Sequence, residues 1–161
     1  RMFGPSRALL VVGIDMLKAV VACFLGKLLL TPYGYSLEGV LIGGWAVCLG
    51  HDFPALLGFH GGKGVLSGVT VALVADWRLG LLALAVFAVC LWLTRYVSLS
   101  SILGTLSFVV AFPLLYWRNP LVSVLGAALG LLVIFMHRSN IKRLIRGTES
   151  KTDLFAKGKK Q

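Results

Sequence analysis

A short glycine-rich segment, Gly61-Gly62-Lys63-Gly64, separates two long apolar runs of the chain. Glycines let backbone N–H groups turn toward an anion with no side chain in the way, and a lysine adds a point charge. The segment is therefore typical of phosphate binding. A Walker A loop is excluded, because Ser or Thr would have to follow Lys63. The alternative interpretation is an interfacial turn whose lysine extends toward lipid headgroups.

Three serines, Ser98, Ser100 and Ser101, follow Arg95 at the start of a later apolar segment. Hydroxyl groups and unpaired amides at a helix N-terminus can form an anion site. The same serines also serve as ordinary helix caps, and Arg95 as an ordinary interfacial anchor. The segment taken alone leaves both interpretations open.

A third polar segment begins where the last apolar run ends. His137 and Asn140 are three residues apart, so they share one face of a helix. The pKa of a histidine, about 6.5, suits a general base for a hydroxyl nucleophile at neutral pH. Contact with lipid headgroups is the alternative interpretation of the same pair.

Two charged residues lie inside the first apolar run, and two more polar residues end the second. Asp15 and Lys18 are spaced i, i+3, which predicts an ion pair that supports the structure. His51 and Asp52 are predicted to orient the adjacent glycine segment. No cluster of carboxylates offers further ligands beside them, so no metal site is predicted.

The composition predicts an integral membrane protein. Of the 161 residues, 58% are hydrophobic and only 14% charged, against about 25% charged in soluble domains. The net charge is +10, but eight of the sixteen basic residues follow residue 137. This distribution indicates a cytoplasmic tail near anionic lipid rather than a nucleic-acid partner. We therefore divide the chain into a transmembrane bundle, 1–137, and a basic tail, 138–161.

The predicted fold class is all-α, a polytopic bundle with about six membrane spans. An even number of spans places both ends on one side, which carries twelve lysines and arginines against three on the other. Both ends are therefore expected in the cytoplasm. The three polar segments then reach one membrane face and converge on one site. The predicted spans are 8–30, 38–57, 65–75, 79–94, 100–117 and 120–136.

Three stretches of the chain resemble the signatures of one enzyme family, the bacterial acyl-phosphate-dependent glycerol-3-phosphate acyltransferases of the PlsY type. GHDFPALLGFHGGKGV, residues 50–65, resembles the second signature, and HRSNIKRLIRGTE, residues 137–149, the third. RYVSLSSI, residues 95–102, is similar to the stretch between them. Asp15-Met-Leu-Lys18 is similar to a segment just after the first signature. The order along nearly the whole chain also agrees.

The resemblance implies a seven-span enzyme of the bacterial cytoplasmic (inner) membrane whose active site faces the cytoplasm. It would transfer a fatty acyl group from acyl phosphate to the sn-1 hydroxyl of glycerol 3-phosphate, giving lysophosphatidic acid. No cofactor or metal is implied. The implied partners are the two substrates, membrane lipids and the enzyme that produces acyl phosphate.

The resemblance also assigns roles to single residues. It implies His137 and Asn140 as the expected catalytic residues. Apart from the resemblance, Asp15, Lys18, His51 and Glu149 are expected to give structural support. The expected substrate-binding residues are Arg1, Gly61, Gly62, Lys63, Gly64 and Ser101.

The family has one further N-terminal span and a first signature that ends in an arginine. Arg1 is expected to be that arginine, so the chain is expected to be incomplete and inactive by itself. Six spans plus the missing one agree with the seven of the family. His60 stands where lysine is more usual, and Ser139 where an acidic residue is common.

Two other classes of membrane protein require different patterns of polar residues. An acyltransferase with the HxxxxD pattern is excluded, because no histidine has an aspartate five positions later. A small-anion transporter is the alternative function, although its polar groups would have to follow a path through the bilayer. Here they cluster at one face, apart from Asp15 and Lys18.

Overall fold

The computed structural model describes residues 5–54 and 61–152, and all regular structure in them is helical. The predicted all-α fold class is confirmed. A turn of 3₁₀ helix, Thr31–Tyr33, follows the first helix. The helices are α1 Pro5–Leu30, α2 Ser36–Asp52, α3 Val65–Ala75, α4 Trp77–Thr94, α5 Val97–Leu115, α6 Pro120–Met136 and α7 Arg138–Ile145.

Length and composition identify fewer spans than the six expected. In the described part of the chain α1, α4 and α5 are long and apolar enough to cross a membrane, and the pair α6–α7, bent by 57°, would make a fourth. Helix α3 has only 11 residues, or about 17 Å, against a hydrocarbon core of about 30 Å. The predicted segment 38–57 also ends early, at Asp52, because Pro54 disfavours helical geometry in Phe53.

Polar side chains close the end of the bundle where α3 meets α4 and α5 meets α6. Asp76 accepts hydrogen bonds from the Arg78 guanidinium at 3.0 and 2.8 Å and from the Tyr116 hydroxyl at 2.9 Å. Asn119 donates to the Glu38 carboxylate at 2.8 Å, which ties the start of α6 to the start of α2. The buried carboxylates of Asp76 and Glu38 thus both accept hydrogen bonds. This satisfies their charges and stabilises this end of the bundle.

Helices α1 and α2 pack backbone against backbone along a seam of glycines. A β-carbon on Gly39 would overlap the carbonyl of Gly26, and one on Gly43 would overlap the carbonyl of Ala22. Small residues let membrane helices approach this closely, and dispersion contacts then hold them together. The seam fixes the end of α2 relative to α1.

The chain after α7 folds back onto the turn between α4 and α5. Glu149 accepts hydrogen bonds from Asn140 Nδ2 at 2.7 Å and from Arg143 Nε at 2.6 Å. The Thr152 amide donates to the carbonyl of Arg95 at 2.8 Å. These bonds hold α7 against the start of α5 and so fix the position of Asn140.

The carboxyl of Glu149 is held in its charged form. Partial burial raises its pKa, but hydrogen bonds from Arg143 and Asn140 and the charge of Arg143 outweigh this and lower the pKa to about 2. The buried Ser98 hydroxyl acts in the same direction, although it makes no hydrogen bond of regular geometry.

The glycine seam predicts different effects for two substitutions in apolar helices. Gly43→Ala places a methyl group against the Ala22 carbonyl, and we expect this overpacking to lower stability by about 1–3 kcal/mol. Gly13→Ala is the control, because no atom lies within 4 Å of the added carbon. Thermal unfolding in detergent measures both variants, and equal melting temperatures would contradict the seam.

The ion pair of Glu149 predicts a pH dependence of stability. Its folded pKa lies below the ordinary value of 4.5, so its stabilisation is present above that value and is lost as the pH falls toward 2. Glu149→Gln should therefore melt below the unsubstituted protein at pH 7, with a gap that narrows from about pH 5 downward. Melting temperatures between pH 7 and pH 3 test this, and a gap independent of pH would contradict it.

Candidate functional site

The glycine segment packs against the last turn of α2. The Gly62 amide donates to the His51 carbonyl at 3.1 Å, and a β-carbon on Gly61 would overlap that carbonyl. A β-carbon on Gly62 would overlap the His51 ring. Gly64 has a φ of +65°, a conformation that favours glycine, and begins α3. Contact with α2 therefore requires these glycines.

Beneath the segment lies the carboxylate of Asp52, which is only 1% exposed. Neither of its oxygens has a hydrogen-bond partner among the described residues. A β-carbon on Gly64 would lie 3.0 and 3.1 Å from these oxygens. Asp52 therefore lies next to the glycine that precedes α3.

The predicted ion pair of α1 also contacts α2. Lys18 Nζ lies 2.6 Å from Asp15 Oδ1 and 2.7 Å from His51 Nδ1. The sequence predicted the pair and, separately, a role for His51 in orienting the loop. The link between them was missed, because it depends on how α1 and α2 are aligned.

The three serines lie buried at the start of α5. Ser100 Oγ donates to the Tyr96 carbonyl at 2.8 Å, and Ser101 Oγ donates to the Val97 carbonyl at 2.9 Å. Each hydroxyl oxygen keeps lone pairs, and its proton can rotate toward a ligand. Ser101 faces the cavity described below.

His137 connects α6 to α7 just beyond the last residue of α6 and is 2% exposed. Its Nδ1 lies 2.8 Å from the Val133 carbonyl, which can only accept, so Nδ1 carries the proton and Nε2 holds a lone pair. Burial lowers the pKa of His137, and the charge of Lys63 lowers it further. The hydrogen bond to Val133 and the charge of Glu149 raise the pKa, but by less. The imidazole is therefore neutral at pH 7.

Asn140 lies one turn beyond His137 and is 3% exposed. Its Nδ2 donates to Glu149, which fixes the amide, and its Oδ1 has no hydrogen-bond partner in the described residues. A buried amide oxygen without a partner is costly, and a ligand hydroxyl would satisfy it.

An apolar cavity of about 370 Å³ lies between the helices, next to the three polar segments. Val65 follows the glycine segment, Ser101 belongs to the serine segment, and Val133 holds His137 through its carbonyl; all three line the cavity. Of the predicted site residues, Ser101 lines the cavity itself. Lys63 lies two residues before Val65, and its charge is near enough to lower the pKa of His137, which contacts Val133. The remaining lining residues are Val12, Leu66, Gly68, Val69, Ala72, Ala83, Leu84, Phe87, Gly104, Thr105, Phe108, Leu129 and Gly130.

The cavity was not predicted from the sequence. Gly68, Gly104 and Gly130 contribute to its wall from α3, α5 and α6. Isolated glycines in apolar helices often mark close packing or a functional space, and this was the available signal. The large apolar side chains around these glycines dominate the sequence pattern, so the glycines do not stand out as a signal for a cavity.

Some predicted site residues lie outside the described part of the chain. These are Arg1, residues 55–60 of the second signature, and residues 153–161 of the tail. Among the described residues, no three histidine, cysteine or acidic side chains are grouped so that they could hold a metal ion.

Comparison with known sequences gives one family. The family model described as Glycerol-3-phosphate acyltransferase matches residues 1–147. A glycerol-3-phosphate acyltransferase of Thermoanaerobacter sp. (strain X514) is 42% identical over 151 residues, which cover 94% of this chain and 73% of the relative. One from Nostoc sp. (strain PCC 7120) is 39% identical over 165 residues, covering 94% and 72%.

Comparison with solved structures agrees with this result. A crystal structure of PlsY (YgiH), an integral membrane glycerol 3-phosphate acyltransferase in its glycerol 3-phosphate form, superposes with a TM-score of 0.77 at 29% identity, covering 94% of this chain and 74% of that one. The lysophosphatidic acid form gives 0.76 at 31% identity, covering 95% and 76%. The resemblance seen in the sequence is confirmed, and the chain belongs to the glycerol-3-phosphate acyltransferase family.

Proposed function

We propose that this protein transfers a fatty acyl group from acyl phosphate to the sn-1 hydroxyl of glycerol 3-phosphate, giving lysophosphatidic acid. The observation that carries the proposal is an apolar cavity lined by Ser101, by Val65 next to the glycine segment and by Val133, whose carbonyl contacts His137. Polar groups there suit phosphates and a hydroxyl, and the cavity suits an alkyl chain.

The alkyl chain of the donor would occupy the cavity between α3, α4, α5 and α6. The wall is formed almost wholly by apolar side chains and glycines, apart from Ser101 and Thr105. Burial of alkyl groups contributes about 0.8 kcal/mol per CH₂. The acyl carbonyl would then lie at the opening, next to Ser101.

The phosphate groups would be held at the start of α3. The first amides of a helix lack partners within the helix and carry its positive dipole. Lys63 is exposed directly before that start and supplies a positive charge, and the Ser101 hydroxyl supplies a further donor. Because the Gly62 amide already donates to the His51 carbonyl, the amides after Gly62 would donate hydrogen bonds to the phosphate. Arg1 is proposed to complete the clamp.

The chemical step is attack of the sn-1 hydroxyl oxygen on the acyl carbonyl carbon, with phosphate as the leaving group. Acyl phosphate is a mixed anhydride, so the protein chiefly positions the two reactants, an effect of about 7–11 kcal/mol in favourable intramolecular cases. His137 can accept the hydroxyl proton at Nε2, which carries the lone pair. Alternatively, a substrate phosphate accepts it while His137 and Asn140 orient the hydroxyl.

We propose that six segments cross the bacterial cytoplasmic membrane, with both ends and the cavity opening facing the cytoplasm. Exposed Trp77 and Trp117 lie at one end of the helices and exposed Trp92 near the other, as in the aromatic belts of membrane proteins. The basic tail, 138–161, would contact anionic lipid. The opening would receive acyl phosphate from the enzyme that produces it.

Membranes containing the full-length protein, incubated with glycerol 3-phosphate and acyl phosphate, should form lysophosphatidic acid. Lys63→Ala should abolish the transfer, because the charge at the start of α3 is lost and phosphate is no longer held. Product formation is measured by chromatography of labelled lipid. Phosphate uptake into liposomes without lipid product would instead indicate the anion transporter, and unchanged turnover of Lys63→Ala would refute the clamp.

His137→Ala should lower kcat far more than it weakens substrate binding, by about 100- to 10,000-fold for a lost general base. Steady-state kinetics of the purified protein give kcat and KM separately. A rise in KM with an unchanged kcat would make His137 a binding residue and leave a substrate phosphate as the proton acceptor.

A further inference from the structure

We infer that His51 donates a hydrogen bond from Nε2 to a substrate phosphate, and that Lys18, paired with Asp15, fixes the tautomer that allows it. The inference rests on the proposed function, because it adds a binding residue to the phosphate clamp at the glycine segment. It makes Lys18 and Asp15 positioning residues that act through His51.

The tautomer follows from the partner of Nδ1. Lys18 Nζ lies 2.7 Å from His51 Nδ1 and 2.6 Å from Asp15 Oδ1. An ammonium group has donors only, so Nδ1 must accept. A neutral imidazole with an accepting Nδ1 carries its proton on Nε2. Asp15 holds the Lys18 side chain in place through the 2.6 Å ion pair.

The Nε2 side of the ring faces the glycine segment. Nε2 is the His51 atom nearest to the position that a β-carbon on Gly62 would take. The Gly62 amide also donates to the His51 carbonyl at 3.1 Å, so the ring and the segment are held in one fixed arrangement. The His51 side chain is 24% exposed, and no described residue accepts a hydrogen bond from Nε2. Nε2 therefore lies against the glycine segment, where the phosphates are proposed to bind.

The position of the ion pair supports a role in binding. Charged residues in an apolar membrane helix are costly and commonly belong to functional sites. The pair lies on α1, yet its ammonium group contacts His51, which belongs to α2. His51 in turn contacts the glycine segment. With the other tautomer, the Nε2 lone pair would face phosphate oxygens and repel them. Lys18 thus decides whether His51 attracts or repels the substrate.

Two substitutions of His51 separate the two ring nitrogens. The amide of His51→Asn lies near the position of Nδ1, so the donor toward the loop is lost, whereas that of His51→Gln lies near Nε2 and keeps it. Because hydrogen bonds to charged groups are strong, His51→Asn should raise the KM for glycerol 3-phosphate about 10- to 100-fold. His51→Gln should keep KM within about threefold, with kcat changed less than KM in both.

Lys18→Met tests the positioning role. It should raise KM about tenfold in the native background but less than twofold in a His51→Gln background, because a glutamine amide has no tautomer to fix. Asp15→Asn combined with Lys18→Met is the matched control that leaves no unpaired carboxylate, and it should show the same dependence on residue 51. Thermal unfolding in detergent identifies variants that fail to fold.

Calorimetric titration with glycerol 3-phosphate provides a second measurement that needs no turnover. Equal affinities of the Asn and Gln variants of His51 would overturn the inference, as would an equal effect of Lys18→Met in both backgrounds. If glycerol 3-phosphate binds more weakly to His51→Asn than to His51→Gln but no lipid product forms, the binding role of His51 is supported and the acyl transfer is rejected. If lipid product forms and KM is unaltered in every variant, the acyl transfer is supported and the binding role of His51 is rejected.

Discussion

The absence of water inside a bilayer is the constraint on which this structure depends. Backbone amides and carbonyls there must pair within their own helix, so the chain is helical wherever it crosses lipid. Irregular backbone is confined to the ends of the helices, and charged groups either pair or lie there. The glycine segment, the start of α5 and the link from α6 to α7 all lie at one such end. Their meeting is a consequence of topology combined with this confinement.

Two histidines at this end have opposite tautomers, and in each the tautomer is fixed by the group that contacts Nδ1. The Nδ1 of His137 faces a carbonyl, so its Nε2 accepts, whereas the Nδ1 of His51 faces an ammonium group, so its Nε2 donates. One ring therefore suits a hydroxyl proton and the other a phosphate oxygen. The protein obtains both properties from the same side chain through the group placed behind each ring.

Much of the fold is predictable from the apolar pattern. The predicted segments 65–75 and 120–136 coincide with α3 and α6, because Gly64, Asn119 and Pro120 give clear signals for helix starts. The segment 38–57 was predicted too long, since the apolar residues after Phe53 conceal the effect of Pro54. The number of spans depends on tilt and depth, which periodicity does not contain.

The sequence indicates candidate members of the site but not the contacts between them. The second and third signatures indicated Lys63, His137 and Asn140. The cavity, the bond between Lys18 and His51, and the return of Thr152 to Arg95 join distant parts of the chain. Such contacts depend on helix rotation and crossing, and no local pattern encodes them.

Helix α3 has one further consequence, which follows from its 11 residues. It runs antiparallel to the 18 residues of α4, so at 1.5 Å per residue its first turn stops about 10 Å short of the level that α4 reaches. In the proposed orientation, the start of α3 would therefore lie below the membrane surface, at the level of the lipid tails. In that orientation the water-soluble acceptor would enter to the depth of the acyl carbonyl, and the apolar donor would react without leaving the bilayer.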